Sequence, residues 1–187
     1  MSDSDRETLD KAKEYALSNF DIQDILEPDT KIFKYAQLKD ARNIDELLDR
    51  NGRGIMLYDV LGENNGHWIA ILRKGDTIEF FDTYASNPGK IGKALGVDPK
   101  QDAQWGQDKE LLKDIVKRSG YKLIWNKKQI QPKSPGVNTC GRHAVLRLLF
   151  AKYTMSEYLK ILKEIQSETG ISPDDLATHL TMNSIGK

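Results

Sequence analysis

A chain of 187 residues is long enough for one domain with a proper core and too short for two of ordinary size, so a single domain over 1–187 is expected. With 39% hydrophobic and 30% charged residues, and no apolar run near the roughly eighteen that a membrane helix needs, the composition predicts a soluble protein and excludes a helical membrane anchor. Net charge is zero, the acidic start Met1-Ser2-Asp3-Ser4-Asp5 is no secretory leader, and one Cys excludes an internal disulfide, so a reducing, cytoplasmic setting is expected.

In chain order, residues 5–18 predict a polar helix, followed by irregular chain to about Thr30. Then come the run Lys31-Ile32-Phe33-Lys34-Tyr35 and a helix over 43–50; segment 1–50 reads as packing elements ahead of a catalytic core over 54–153, with closing helices over 154–187. The apolar run 54–60 suits a buried strand, and Gly62-Glu63-Asn64-Asn65-Gly66 interrupts it with turn formers.

Two strand-like runs, 67–72 and 77–82, flank the polar turn Arg73-Lys74-Gly75-Asp76. A turn centred between Lys74 and Gly75 would set His67 directly opposite Asp82, within imidazole–carboxylate reach. The same register sends Ile69, Ile71, Ile78 and Phe80 to the His67 face and Trp68 with Phe81 to the other. Both faces are apolar, which predicts a sheet covered on both sides.

After a loop over 84–99, residues 108–119 carry helical spacing at Leu111, Leu112, Ile115 and Val116, and 121–125 is a strand candidate. Two prolines and a glycine make 129–137 irregular. A mainly apolar helix follows to about Tyr153, with Asn138 and Thr139 as caps. Helices over 156–169 and 173–181 close the chain.

Cys140 thus falls in the first turn of a helix, behind a loop that leaves it reachable. There the positive end of the helix dipole favours the thiolate, which is the nucleophilic form. A thiolate attacking a carbonyl needs a proton acceptor, and imidazole, with a pKa of about 6.5, is suited to it. His67, His143 and His179 are available; His67 alone faces a carboxylate. Asp82 would hold the His67 ring in the right tautomer. The backbone N–H of Cys140 is one candidate oxyanion donor, and a loop amide, Gln131 with Gln129 in reserve, is the second. The three histidines are not clustered, so no metal or cofactor is expected.

Gly66-His67-Trp68, the strand end Phe80-Phe81-Asp82 with Thr83-Tyr84, a loop Gln, and Asn138-Thr139-Cys140-Gly141-Arg142, in that order, resemble the adenain and SUMO-specific protease superfamily of cysteine proteases. Within it they look most like the maturation proteases of large DNA viruses and virophages. The resemblance spans about 54–153. It implies a papain-like α+β fold with a central mixed sheet, flanking helices and the nucleophile at the start of a buried helix. It also implies a Cys140–His67–Asp82 triad, oxyanion support from Gln131, and substrate contacts from Trp68 and Gly141. Gln131 precedes Cys140 at a longer spacing than such relatives use.

The resemblance further implies cleavage of capsid precursors next to small residues, often glycine, in the virion or at the host-cell site of assembly. The adenovirus enzyme is helped by DNA and by a peptide. Here the neutral net charge gives no general reason to expect DNA binding, and only the basic stretch 109–133, with eight Lys/Arg against two acids, leaves it open. The competing expectations are a deconjugase of ubiquitin-like modifiers, an acyl transferase, and a non-catalytic peptide-binding module.

Overall fold

The computed structural model describes residues 3–62 and 65–182. Its centre is a five-stranded mixed sheet in the order β1-β2-β3-β4-β5, with strands Lys31–Lys34, Arg53–Gly62, Asn65–Lys74, Thr77–Phe81 and Lys122–Trp125. The outer pairs β1/β2 and β4/β5 are parallel, and the inner pairs β2/β3 and β3/β4 antiparallel. The α+β class and mixed sheet expected from the sequence are present.

Eight helices surround the sheet among the described residues: α1 Asp3–Glu14, α2 Asn19–Ile25, α3 Ile91–Leu95, α4 Pro99–Gln104, α5 Leu111–Arg118, α6 Cys140–Leu149, α7 Met155–Thr169 and α8 Pro173–Met182. Ile69, Ile71, Ile78 and Phe80 pack on one face with Leu112, Ile115 and Val116 of α5. Trp68, Ala70 and Phe81 pack on the other with Ala144, Val145 and Leu148 of α6 and Tyr158 of α7. Strand alternation therefore feeds two cores, as apolar residues on both faces require.

The β3–β4 turn corrects the predicted register. Lys74 pairs with Thr77 and Ala70 with Phe81, so Gly75-Asp76 form a two-residue turn centred one position later than expected. Gly leads that turn, with φ of 57°, as a type II′ hairpin requires. Each partner moves by two residues, so Asp82 falls in line with Ile69 and His67 with Tyr84, just past the ladder. A shift of two preserves the face, which keeps His67 and Asp82 on the same side of the sheet as diagonal neighbours.

Other boundaries also differ. Within the stretch expected to be irregular, Ser18 and Asp21 form a capping box that starts α2. The loop over 84–99 contains α3, and Asp98 caps α4 with Pro99 at its first position. The helix expected over 43–50 is a 3₁₀ segment, Ile44–Leu47, and α6 stops at Leu149 rather than near Tyr153. Glu63 and Asn64 of the predicted β2–β3 turn lie outside the described residues.

Helix α6 is anchored to the sheet by a charge pair the apolar pattern did not announce. Arg147 and Glu79 are both buried, with Nε to Oε1 at 2.6 Å and Nη2 to Oε2 at 3.0 Å. The guanidinium also donates to the carbonyls of Phe150 and Tyr153. Those two carbonyls turn the chain out of α6, so one side chain both docks the helix and ends it.

Candidate active site

Cys140 opens α6 and is partly exposed. Thr139 occupies the N-cap position, but its hydroxyl donates to Asp174 Oδ1 of α8 at 2.5 Å and makes no cap bond. The Asn138 amide likewise turns away, donating to the Glu14 carbonyl, while its backbone N–H reaches Lys13 O. The predicted side-chain caps are therefore engaged elsewhere, because α1 and α8 claim them. The Gly141 N–H consequently serves the sulfur instead, together with the N–H of Trp68.

Burial pushes the Cys140 thiol up, yet the hydrogen bond and charge of His67 and these two amides outweigh it and hold it below its ordinary 9.0. Gly141 is needed for the approach: a Cβ there would lie 2.9 Å from Trp68 Cδ1 and 3.2 Å from Leu17 Cβ.

His67 is buried at the start of β3, preceded by Gly66, whose missing Cβ would sit 2.0 Å from the Tyr58 carbonyl oxygen. Its Nε2 lies 2.6 Å from Asp82 Oδ1, and the side chain also hydrogen-bonds Cys140. Burial opposes the imidazolium, but the Asp82 charge and hydrogen bond and the Cys140 contact raise the His67 pKa well above 6.5. Asp82 is fully buried; that burial raises its pKa, and the His67 charge and hydrogen bonds overcome it and bring it down to about 2. Its Oδ1 also accepts the Tyr84 N–H at 2.9 Å, and Oδ2 accepts the Ser86 N–H at 3.1 Å. The result is a hydrogen-bonded line, Cys140–His67–Asp82, with a polarised thiol at one end and a fixed carboxylate at the other.

A cleft of about 500 Å³ opens over Cys140 and is lined by His67, Trp68, Tyr84, Gln131 and Asn138. Gln131 is buried beside it: Nε2 donates to Val137 O at 3.2 Å, and Oε1 accepts from the Thr83 hydroxyl. Gln129 is exposed and donates to Gln131 O. The two glutamines left open by the sequence thus separate, with Gln131 in the cleft and Gln129 buttressing it. Trp68 is held by its indole N–H on Leu17 O at 2.9 Å, which ties the segment after α1 to the cleft wall.

His143 and His179 lie apart from this line. His143 is fully buried in α6, with Nε2 2.9 Å from Asp174 Oδ1, and His179 is exposed on α8. Among the described residues no cluster of His, Cys, Asp or Glu could hold a metal ion, and no helix is long and apolar enough to cross a membrane.

Two side chains at the site escaped the sequence. Tyr84 stacks on the His67 ring, centroids 4.8 Å apart and planes 15° from parallel. Asn126 brackets the Asp82 backbone. The signal for Tyr84 was its place two residues after Asp82; Asn126 offered none, because its contact spans forty-four residues of chain.

No protein-family model matches the chain. Among solved structures, a SUMO protease Ulp1 with its catalytic cysteine oxidized to a sulfinic acid aligns over 98% of this chain and 96% of that one, at 13% identity and a TM-score of 0.35. "Uncharacterized protein V9" of Sputnik virophage is 30% identical over 168 residues, covering 89% of this chain and 94% of V9. Identity of that extent, spread over nearly the whole of both chains, means that this chain belongs to the same family as virophage protein V9.

Proposed function

We propose that the chain is a cysteine endopeptidase in which Cys140 is the nucleophile, His67 the proton carrier and Asp82 the group that orients His67. The observation that carries this reading is the continuous hydrogen-bonded line from a thiol with a lowered pKa, through an imidazole with a raised one, to a buried carboxylate, with the thiol and the imidazole lining an open cleft. Structural ion pairs also shift pKa values, but few leave a nucleophile reachable at a helix start beside a base and its orienter.

In the first half-reaction the Cys140 thiolate attacks the scissile carbonyl carbon, and the carbonyl π pair moves onto oxygen. The oxyanion is met by the Cys140 N–H and the Gln131 amide, the latter held in the cleft by Thr83 and Val137. Collapse expels the amine, which takes its proton from the His67 imidazolium and leaves a thioester. Water then gives a proton to neutral His67 and attacks the thioester. The acid departs, and the thiolate–imidazolium pair is restored.

The substrates proposed are precursor proteins of a virus particle, cut next to small residues in the virion or at its site of assembly. Kinship with a virophage protein supports that setting, and the Trp68 wall packed against Gly141 supports a cleft that favours small side chains.

The test is incubation of recombinant protein with a virophage capsid precursor, Gly-containing peptides and ubiquitin-like conjugates, alongside Cys140→Ala and His67→Ala. Cleavage of the precursor by wild type alone is the expected result. Preference for the conjugates would replace the substrate assignment with a deconjugase, and undiminished cleavage by either variant would overturn the mechanism.

A further inference from the structure

We propose that Asn126 is a positioning residue that fixes the base-orienting carboxylate from behind by pairing reciprocally with the Asp82 backbone. The inference rests on the reading of Cys140, His67 and Asp82 given above and adds to it a residue outside the cleft.

Asp82 lies one position beyond β4, and the β4/β5 ladder ends at Phe80 and Trp125. Its backbone therefore has no strand partner. The Asn126 side chain supplies one: Oδ1 accepts the Asp82 N–H at 3.0 Å, and Nδ2 donates to the Asp82 carbonyl at 2.6 Å. The same Nδ2 donates its other proton to Lys128 O at 3.2 Å, so the amide's two donors and its acceptor are all engaged. Asn126 is buried, and these bonds are sheltered from water.

Only an asparagine meets these demands. An aspartate lacks the donors, and a glutamine adds a methylene the reciprocal pair has no room to absorb. The Ala85 N–H donates to the same Asp82 carbonyl at 2.9 Å, closing a turn over 82–85, and Ala85 itself has a left-handed φ of 54°. A non-glycine residue holds that conformation only where its surroundings over-determine it. The Asp82 carbonyl thus takes two donors and its N–H has the Asn126 acceptor, while its carboxylate is shared among His67, Tyr84 and Ser86. Loosening the main chain tilts the carboxylate away from His67, weakens the imidazolium, and with it the thiolate.

The experiment is the pH dependence of Cys140 alkylation by iodoacetamide, which needs no substrate. Wild type, Asn126→Ala, Asp82→Asn and the double variant are compared, with thermal melts to confirm folding. His67, Asp82, Tyr84, Lys133 and Asp174 are the titratable groups around Cys140, and all but Asp82 are common to the four proteins.

Asn126→Ala is expected to slow alkylation about tenfold on the acid side of the wild-type thiol's titration, the consequence of a one-unit rise of the thiol. It is expected to change the Asp82→Asn protein by no more than about twofold, because the two residues act as one unit. No change in either background, or an equal loss in both, would overturn the proposal and leave Asn126 a purely structural residue. If Asn126→Ala does not fold, Asn126→Ser carries the same comparison. A chain that hydrolyses nothing yet shows this pattern would overturn the endopeptidase reading and leave the clamp standing. A wild-type thiol titrating at its ordinary value would overturn both.

Discussion

At the scale of single residues, the site is a coupled pair of titrating groups. Cys140 is lowered from 9.0 and His67 raised from 6.5, so the reactive thiolate–imidazolium form occupies the window between them. Hydrolysis should rise as pH climbs through the lowered Cys140 value and fall as it climbs through the raised His67 value, a bell whose limbs are read from kcat/KM against pH. His67→Ala removes the main partner that lowers the thiol and leaves the burial that raises it, so alkylation of Cys140 should shift to higher pH, as titration with iodoacetamide will show. A flat profile in that variant, matching wild type, would detach His67 from the thiol. Gly141→Ala places a Cβ against Trp68 and Leu17. Overpacking of this kind costs about 1–3 kcal/mol, and both melting temperature and turnover should fall.

At the scale of elements, α6 carries Cys140, the proposed nucleophile, and is fixed at both ends. Its far end is held by Arg147 on Glu79. Removing one partner of a buried ion pair costs about 3–5 kcal/mol, because the survivor is left charged and alone, whereas a well-packed apolar replacement of both is close to neutral. Glu79→Ala should therefore destabilise strongly in urea denaturation, and Glu79→Leu combined with Arg147→Met should recover only part of the loss, because the carbonyls of Phe150 and Tyr153 lose their donor. At the near end, Asp174 accepts from the Thr139 hydroxyl and meets His143 Nε2 on the same oxygen. Asp174→Ala should lower kcat more than it raises KM, since it disturbs the approach to Cys140 and touches no part of the cleft lining.

At the scale of the whole molecule, the chain's first segment completes the site from a distance. Carbonyls of Ala12, Lys13, Glu14 and Leu17 accept from Arg142, Asn138 and Trp68, so three side chains around Cys140 take their positions from residues far away in sequence. A chain that starts at residue 18 should keep a folded sheet by circular dichroism and lose about a hundredfold in turnover, the cost of ångström-scale misplacement of reacting groups.

What the sequence determined by itself was whatever depends on nearest neighbours and on period. The strand runs of β2, β3 and β4, the apolar stripe of α5, the proline-rich loop before α6, and the presence of a cysteine at a helix start are all of that kind, as is the sharing of one sheet face by His67 and Asp82. Short elements such as α2 and α3 were hidden, because a capping box or a single turn barely changes the local pattern.

Tertiary structure decided the rest. The hairpin register turned on which two residues formed the turn. The caps of α6 were drawn off by α1 and α8, and which of Gln131 and Gln129 lines the cleft depended on which side of a loop faced it. The grip of Asn126 on Asp82 joins two strands in parallel. A hydrogen bond between residues distant in sequence is made only once the chain has closed the loop between them, and no local pattern of residue types records where that closure will fall.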